Sequence, residues 1–150
     1  MRKSLLSLVL SAALAVPATA AMAHEPGTYE SPIVEQRVKR FKQSGGDIQA
    51  IFKKHLAAGN YAAIEEAAAR MAAWGKDMPA AFPEGSNSVG ADAAIWENFS
   101  DFESKADAFT KAAMRLQTAA ASGDAGATKK AAQAVGGTCK SCHQSYRIKH

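Results

Sequence analysis

Near its C-terminus the chain reads Cys139-Lys140-Ser141-Cys142-His143, and only seven residues come after it. These are the only two cysteines in the 150 residues. Two thiols three residues apart, with an imidazole next to the second, have a short list of uses. On a helix, positions 139, 142 and 143 share one face. Each thiol can then add to one vinyl group of a haem, and His143 can turn its imidazole under the iron as proximal ligand. C-x-x-C-H is the attachment sequence of a c-type haem. A disulfide across so short a loop would constrain little of the unfolded chain. A dithiol redox site of the thioredoxin kind sits after a strand within a βαβ pattern, and none surrounds this pair. A zinc site needs four ligands, and no second Cys or His pair completes the set. The haem reading leads. With so little chain after His143, any group facing the opposite side of the iron must come from upstream.

The N-terminus bears on the same question. Arg2 and Lys3 precede a short apolar run from Leu5 to Val16, and Ala21-Met22-Ala23 fits a small-x-small cleavage site. Residues 1–23 therefore read as a secretory signal peptide, with cleavage expected before His24 and residues 24–150 as one domain. The run is too short for a membrane span, and nothing later is apolar enough, so no membrane association is expected after cleavage. Export places the mature chain in the periplasm of a bacterium. That compartment is oxidising, so two free thiols are not expected to persist there. A covalently held haem cannot be lost outside the cytoplasm, which links motif and signal. The mature chain carries 16 Lys and Arg against 14 Asp and Glu. Such a balance does not call for nucleic acid or an acidic membrane as partner.

The elements that must position the motif are helical. Alanine is abundant and β-branched residues are scattered. Gly45-Gly46, Gly59-Asn60, the stretch from Phe82 to Gly90, and Gly123 to Gly126 read as breaks. Between them apolar residues recur in steps of three and four. The first stripe is Val34, Val38, Phe41, Ile48, Phe52; the second Tyr61, Ile64, Ala68, Met71, Gly75, Met78. The third is Ile95, Phe99, Phe102, Ala106, Phe109, Ala113, Leu116, Ala120. The fourth is Ala127, Ala131, Ala134, Thr138. Four amphipathic stripes with short connections predict an all-α, antiparallel up-down four-helix bundle. The fourth stripe is mostly alanine. Such a face either packs closely on a neighbouring helix or leaves room for a large apolar cofactor.

A signal peptide, four helices and C-x-x-C-H in the last of them resemble cytochrome c′, the class II c-type cytochromes, over essentially the whole mature chain. "CKSCHQSYR", "VEQRVKRFKQSGGDIQAI", "AAFPEGS" and "AAIWENF" are similar to that family's motif helix, first helix, interhelical loop and start of the third helix. The resemblance implies one covalent haem c, with Cys139 and Cys142 attached to it and His143 as axial iron ligand. It also implies Arg37 near a haem propionate, where a guanidinium suits a carboxylate, and Arg147 as a neighbour on the proximal side. Without it, Arg37 is an exposed arginine and Arg147 a cation near a helix C-terminus.

One departure from the family pattern carries information. Low-spin members place a methionine in the first helix as sixth ligand, and here that position holds Phe41, which cannot bind iron. No methionine lies between Glu25 and Met71. The implied distal face is apolar and the iron five-coordinate. Met71, Met78 and Met114 remain as candidate ligands, and their spacing is that of core residues. His55 is on the stripe of Phe41 but 14 residues on, about 21 Å along a straight helix. His24 and His150 are terminal. These features together describe a haem protein with electron-transfer activity, able to bind nitric oxide or carbon monoxide; the alternative is a low-spin, six-coordinate electron carrier. An enzyme such as a peroxidase would need a distal acid-base group near position 41, and none is present. The expected partners are a redox protein or a small diatomic gas. The resemblance also brings a homodimer into view, through the first two helices.

Overall fold

The structure is a computed structural model that describes residues 31–148. The signal-peptide reading of residues 1–23, and His24 and His150, lie outside the described residues. Four long helices dominate: α1 (Pro32–Ala50), α2 (Tyr61–Asp77), α4 (Phe99–Ala121) and α5 (Ala125–Tyr146). A single turn, α3 (Ala94–Glu97), leads into α4. Consecutive long helices run antiparallel, so the all-α four-helix bundle is as the stripes require. Among the described residues no helix is long and apolar enough to cross a membrane.

Local chemistry sets the helix ends. Ser31 caps α1, its Oγ accepting from Val34 N at 3.4 Å, with Pro32 in the first turn, where its missing N–H costs nothing. Asn60 and Asp124 cap α2 and α5, accepting from Ala63 N at 3.2 Å and Ala127 N at 2.8 Å. Gly59 and Gly123 adopt φ of 63° and 71°, the left-handed conformation that lets each chain reversal be tight.

Three local readings differ from the structure. Gly45-Gly46 do not break α1, which continues through them although two glycines cost about 2 kcal/mol of helix propensity. The helix changes instead at Ile51–His55, a π turn in which Leu56 N donates to Ile51 O at 3.0 Å. The buried line of α1 and this turn runs through Val34, Arg37 and Ile51, so Phe52, expected on the stripe, is 43% exposed. The third stripe spans two helices, because Asn98 at φ −134° interrupts it. The fourth stripe is out of phase by one residue. The buried line is Thr128, Ala132, Val135 and Tyr146, with Cys139 and Cys142 half-buried on it. In an alanine-rich helix, alanines on either side of the true face look alike, and Val135 and Tyr146 are the better guides.

The core is built chiefly on α2 and α4, with Ile64, Met71, Trp74, Met78, Phe102, Phe109 and Leu116 at its centre. α4 packs along its length on α2 and α5, whereas α1 sits loosely, meeting α2 and touching α5 only sparsely. Met71 and Met78 are core residues as expected; Met114 is not, being 48% exposed.

Candidate functional site

Cys139 and Cys142 are not joined to each other and are half-buried against the core, on the same face of α5 as His143. Burial pushes both thiols up, that of Cys142 to about 11, so each is held as the neutral S–H. His143 is solvent-accessible, and its imidazole is held below the ordinary histidine range, first by partial burial and then by the charge of Arg147. A neutral imidazole keeps a lone pair for a metal. Among the described residues no group of three or more His, Cys, Asp or Glu gathers as a metal-ligand set, so the cysteines have no company for a zinc site.

Arg147 lies just past the end of α5 in extended conformation, φ −107° and ψ 126°, where it bridges antiparallel to Ala91. Asp92 N donates to Tyr146 O at 3.1 Å and Ile148 N to Gly90 O at 3.4 Å. The loop between α2 and α3 is thereby tied to the end of the motif helix. Tyr146, three residues after His143, is buried edge-on against Phe102, and its hydroxyl donates to Asp101 Oδ2 at 2.6 Å. Burial, and then Asp101, raise the phenol to about 12, while the same hydrogen bond holds the Asp101 carboxyl below its usual range.

The α1 wall is aromatic and basic. Phe41 is half-buried, edge-on to Trp74 with ring centroids 5.1 Å apart and to Phe82 at 6.2 Å. Arg37, one turn earlier, is only 2% exposed. Its guanidinium lies 4.2 Å from the centre of the Phe82 ring. It donates to Ala81 O at 3.1 Å, Ser86 Oγ at 2.8 Å and Ser88 Oγ at 3.1 Å, and also to Ser86 O. Arg37 thus anchors the loop, a role the sequence does not reveal, since Ser86 and Ser88 lie 49 and 51 positions away. Trp96 Nε1 holds the same loop through Phe82 O and Pro83 O, both at 3.1 Å.

Two groups on this wall lack their natural complement. Among the described residues Arg37 has no carboxylate partner, and burial alone lowers its pKa. Trp74 Nε1 is buried without an acceptor. A buried cation and an orphaned N–H around a phenyl ring fit a flat apolar group that carries carboxylates. A haem is such a group, and the half-buried thiols and accessible imidazole supply the donors for it. His55 belongs elsewhere: α1 runs unbroken from Phe41 to the π turn that contains it. Two surface hollows, of about 370 and 410 Å³, run along α4 and include neither cysteine.

The family model described as Cytochrome C' matches residues 32–147. Cytochrome c' of Rhodospirillum rubrum is 34% identical over 146 residues, 93% of this chain and 95% of that protein. Cytochrome c-556 of Agrobacterium tumefaciens is 37% identical over 119 residues, 77% of this chain and 97% of that protein. Among solved structures, cytochrome c' from Thermochromatium tepidum superposes with a TM-score of 0.72 at 30% identity, covering 78% of this chain and 95% of that one. A cytochrome c' with a ligand-controlled dimer dissociation superposes at 0.71 and 34%, covering 78% and 95%. The nitric oxide complex of a point mutant of the Alcaligenes xylosoxidans protein has a TM-score of 0.69 and 25% identity, covering 79% and 94%. Members of this family are non-enzymatic haem proteins, and the chain belongs to the cytochrome c′ family.

Proposed function

We propose that the mature chain is a periplasmic electron-transfer protein holding one haem c through thioether bonds to Cys139 and Cys142, with His143 as axial ligand and an open sixth position that admits nitric oxide or carbon monoxide. One observation carries the reading: the C-x-x-C-H face of α5 and, on α1, a phenylalanine rather than a ligating side chain at position 41. The haem, when bound, supplies a one-electron couple and an iron that a diatomic can reach.

The protein's part is to shape the surroundings. Phe41, backed by Trp74 and Phe82, offers no lone pair and no hydrogen-bond donor, so it disfavours bound dioxygen and requires an entering ligand to displace a packed ring. Arg37 contributes a buried positive charge to the propionate side, its position fixed by the loop it anchors. Arg147 lies close enough to His143 to act on its charge state. The nitric oxide complex of the Alcaligenes xylosoxidans relative supports the gas-binding part. Membership in a typically periplasmic family supports the location. A homodimer is part of the proposal, supported by the relative whose dimer dissociates under ligand control.

The test is an absorption spectrum of the purified exported protein, ferric and ferrous, before and after carbon monoxide. The expected result is a broad ferrous band that changes on adding the gas. Sharp, split bands indifferent to carbon monoxide would mean a sixth protein ligand and an electron carrier alone.

A further inference from the structure

The haem site leaves one pattern of charge unused. From Ala125 to Ile148 the chain holds Lys129, Lys130, Lys140 and Arg147 and no acid at all. The remaining described residues, 31–124, hold 11 basic and 12 acidic side chains. Ion pairs among the described residues lie elsewhere, such as Lys39 with Glu35, Arg40 with Asp77, Arg70 with Asp47, Lys105 with Asp101 and Lys111 with Asp107. None of the four α5 cations has an acidic partner among the described residues, and all four are exposed.

Helix stability does not account for them. Arg147 benefits from a position at the end of α5, but Lys129 and Lys130 stand in its N-terminal half, where the macrodipole gives a cation nothing. Their placement is ordered. Lys129 and Lys140 are three turns apart and so share a line, about 16 Å in length, and Arg147 extends it by about 10 Å. His143 is three residues from Lys140 and four from Arg147, the spacing of surface neighbours on a helix. Lys140 and Arg147 therefore stand beside His143, while Lys130, about 100° round the helix from Lys129, lies off this line.

We propose that this all-basic ridge of α5 is the docking surface for an acidic electron-transfer protein, which it brings to the haem edge; the proposal rests on the haem reading above. Charge complementarity selects the partner's chemistry, a surface rich in Asp and Glu. An anionic membrane is the poorer match. Among the described residues the exposed large hydrophobics are Phe52, Val89 and Met114, none of them on α5, so the ridge has no apolar side to enter a bilayer.

The test uses the mature haem-loaded protein and plastocyanin, an acidic copper protein, as probe. With both proteins oxidised no electron moves, and binding alone is read, by thermophoresis. The expected dissociation constant rises about tenfold or more between about 10 and 200 mM salt, as screening shortens the reach of the ridge. Lys129→Glu with Lys140→Glu should weaken binding by about tenfold, and the equal charge change Lys53→Glu with Lys54→Glu by less than about twofold. The rate of plastocyanin reduction by the ferrous protein should show the same order. Circular dichroism and the haem spectrum establish that each variant is folded and loaded. Equal weakening by the two pairs, or by neither, in loaded protein would overturn the ridge and leave the haem reading intact. So would binding to phosphatidylglycerol vesicles without binding to plastocyanin. A chain that takes no haem would overturn both.

Discussion

Gly75 is where the bundle is tightest. A Cβ placed there would stand 2.2 Å from Thr110 Oγ1, 3.0 Å from Phe109 Cδ1 and 3.2 Å from Thr110 Cα. The hydroxyl cannot swing aside freely, since it donates to Ala106 O at 2.9 Å within a buried seam. The third contact is to backbone, so α2 and α4 must separate. For Gly75→Ala two terms oppose each other. Alanine gains about 1 kcal/mol of helix propensity. Overpacking at a seam of this kind costs about 1–3 kcal/mol, and the backbone contact puts this site at the upper end. The expected net loss is about 1–2 kcal/mol, or a fall in Tm of roughly 4–8 °C for a domain of this size. Thermal unfolding tracked by circular dichroism measures it. Thr110→Ala removes the worst clash, so the double variant should recover about 1 kcal/mol relative to the sum of the single changes. The effect should also reach the site: Trp74 precedes Gly75 and backs Phe41, so carbon monoxide should bind faster in Gly75→Ala. A Gly75→Ala protein as stable as the parent, or more so, would refute the close approach of α2 and α4.

On the proposed haem reading Phe41→Ala opens the sixth position, and stopped-flow mixing should show carbon monoxide binding about tenfold or more faster; unchanged kinetics would assign the gate to another residue. The Tyr146–Asp101 hydrogen bond makes stability depend on pH at both ends. Asp101 is held below the ordinary carboxylate pKa, so its contribution is present above about pH 4 and is lost as pH falls through its lowered value. Tyr146 is raised to about 12, so its contribution is present below about pH 10 and is lost as pH rises through about 12. Asp101→Asn should flatten the acid limb of stability and bring the Tyr146 titration, read by ultraviolet absorbance, back towards that of a free phenol. An unmoved titration would mean that burial alone raises it.

The sequence was most legible where one residue type has few uses. C-x-x-C-H has so few that, with a signal peptide before it and no βαβ pattern around it, the sequence points to haem attachment. The α2 and α4 stripes were equally clear, because Ile64, Met71, Met78, Phe102, Phe109 and Leu116 are large and buried at helical spacing. The α5 stripe failed for the opposite reason, as small side chains mark no face. The π turn at Ile51–His55 left no trace in composition, since IFKKH contains no breaker residue. Arg37 shows the harder limit. Its spacing to Phe41 was readable, but its acceptors are contributed by a loop far along the chain, and only the folded molecule brings them together.

That loop also explains how a loosely seated α1 can still define one side of a site. α1 has little packing on α5. Its register is set instead by Arg37, which holds Ala81, Ser86 and Ser88, while Gly90, Ala91 and Asp92 of the same loop pair with the backbone after His143. The loop is therefore a strap from the helix that carries Phe41 to the end of the helix that carries the motif. Polar anchors of this kind fix the distance between two faces without filling the space between them. A well-packed apolar seam would fix it too, but would leave nothing for a cofactor to occupy. The uncompensated charge of Arg37 has its origin in the same arrangement: its hydrogen bonds are satisfied by neutral oxygens, and what the wall lacks is an anion. A group that brings carboxylates to this wall would offset the electrostatic cost that the burial of Arg37 leaves standing.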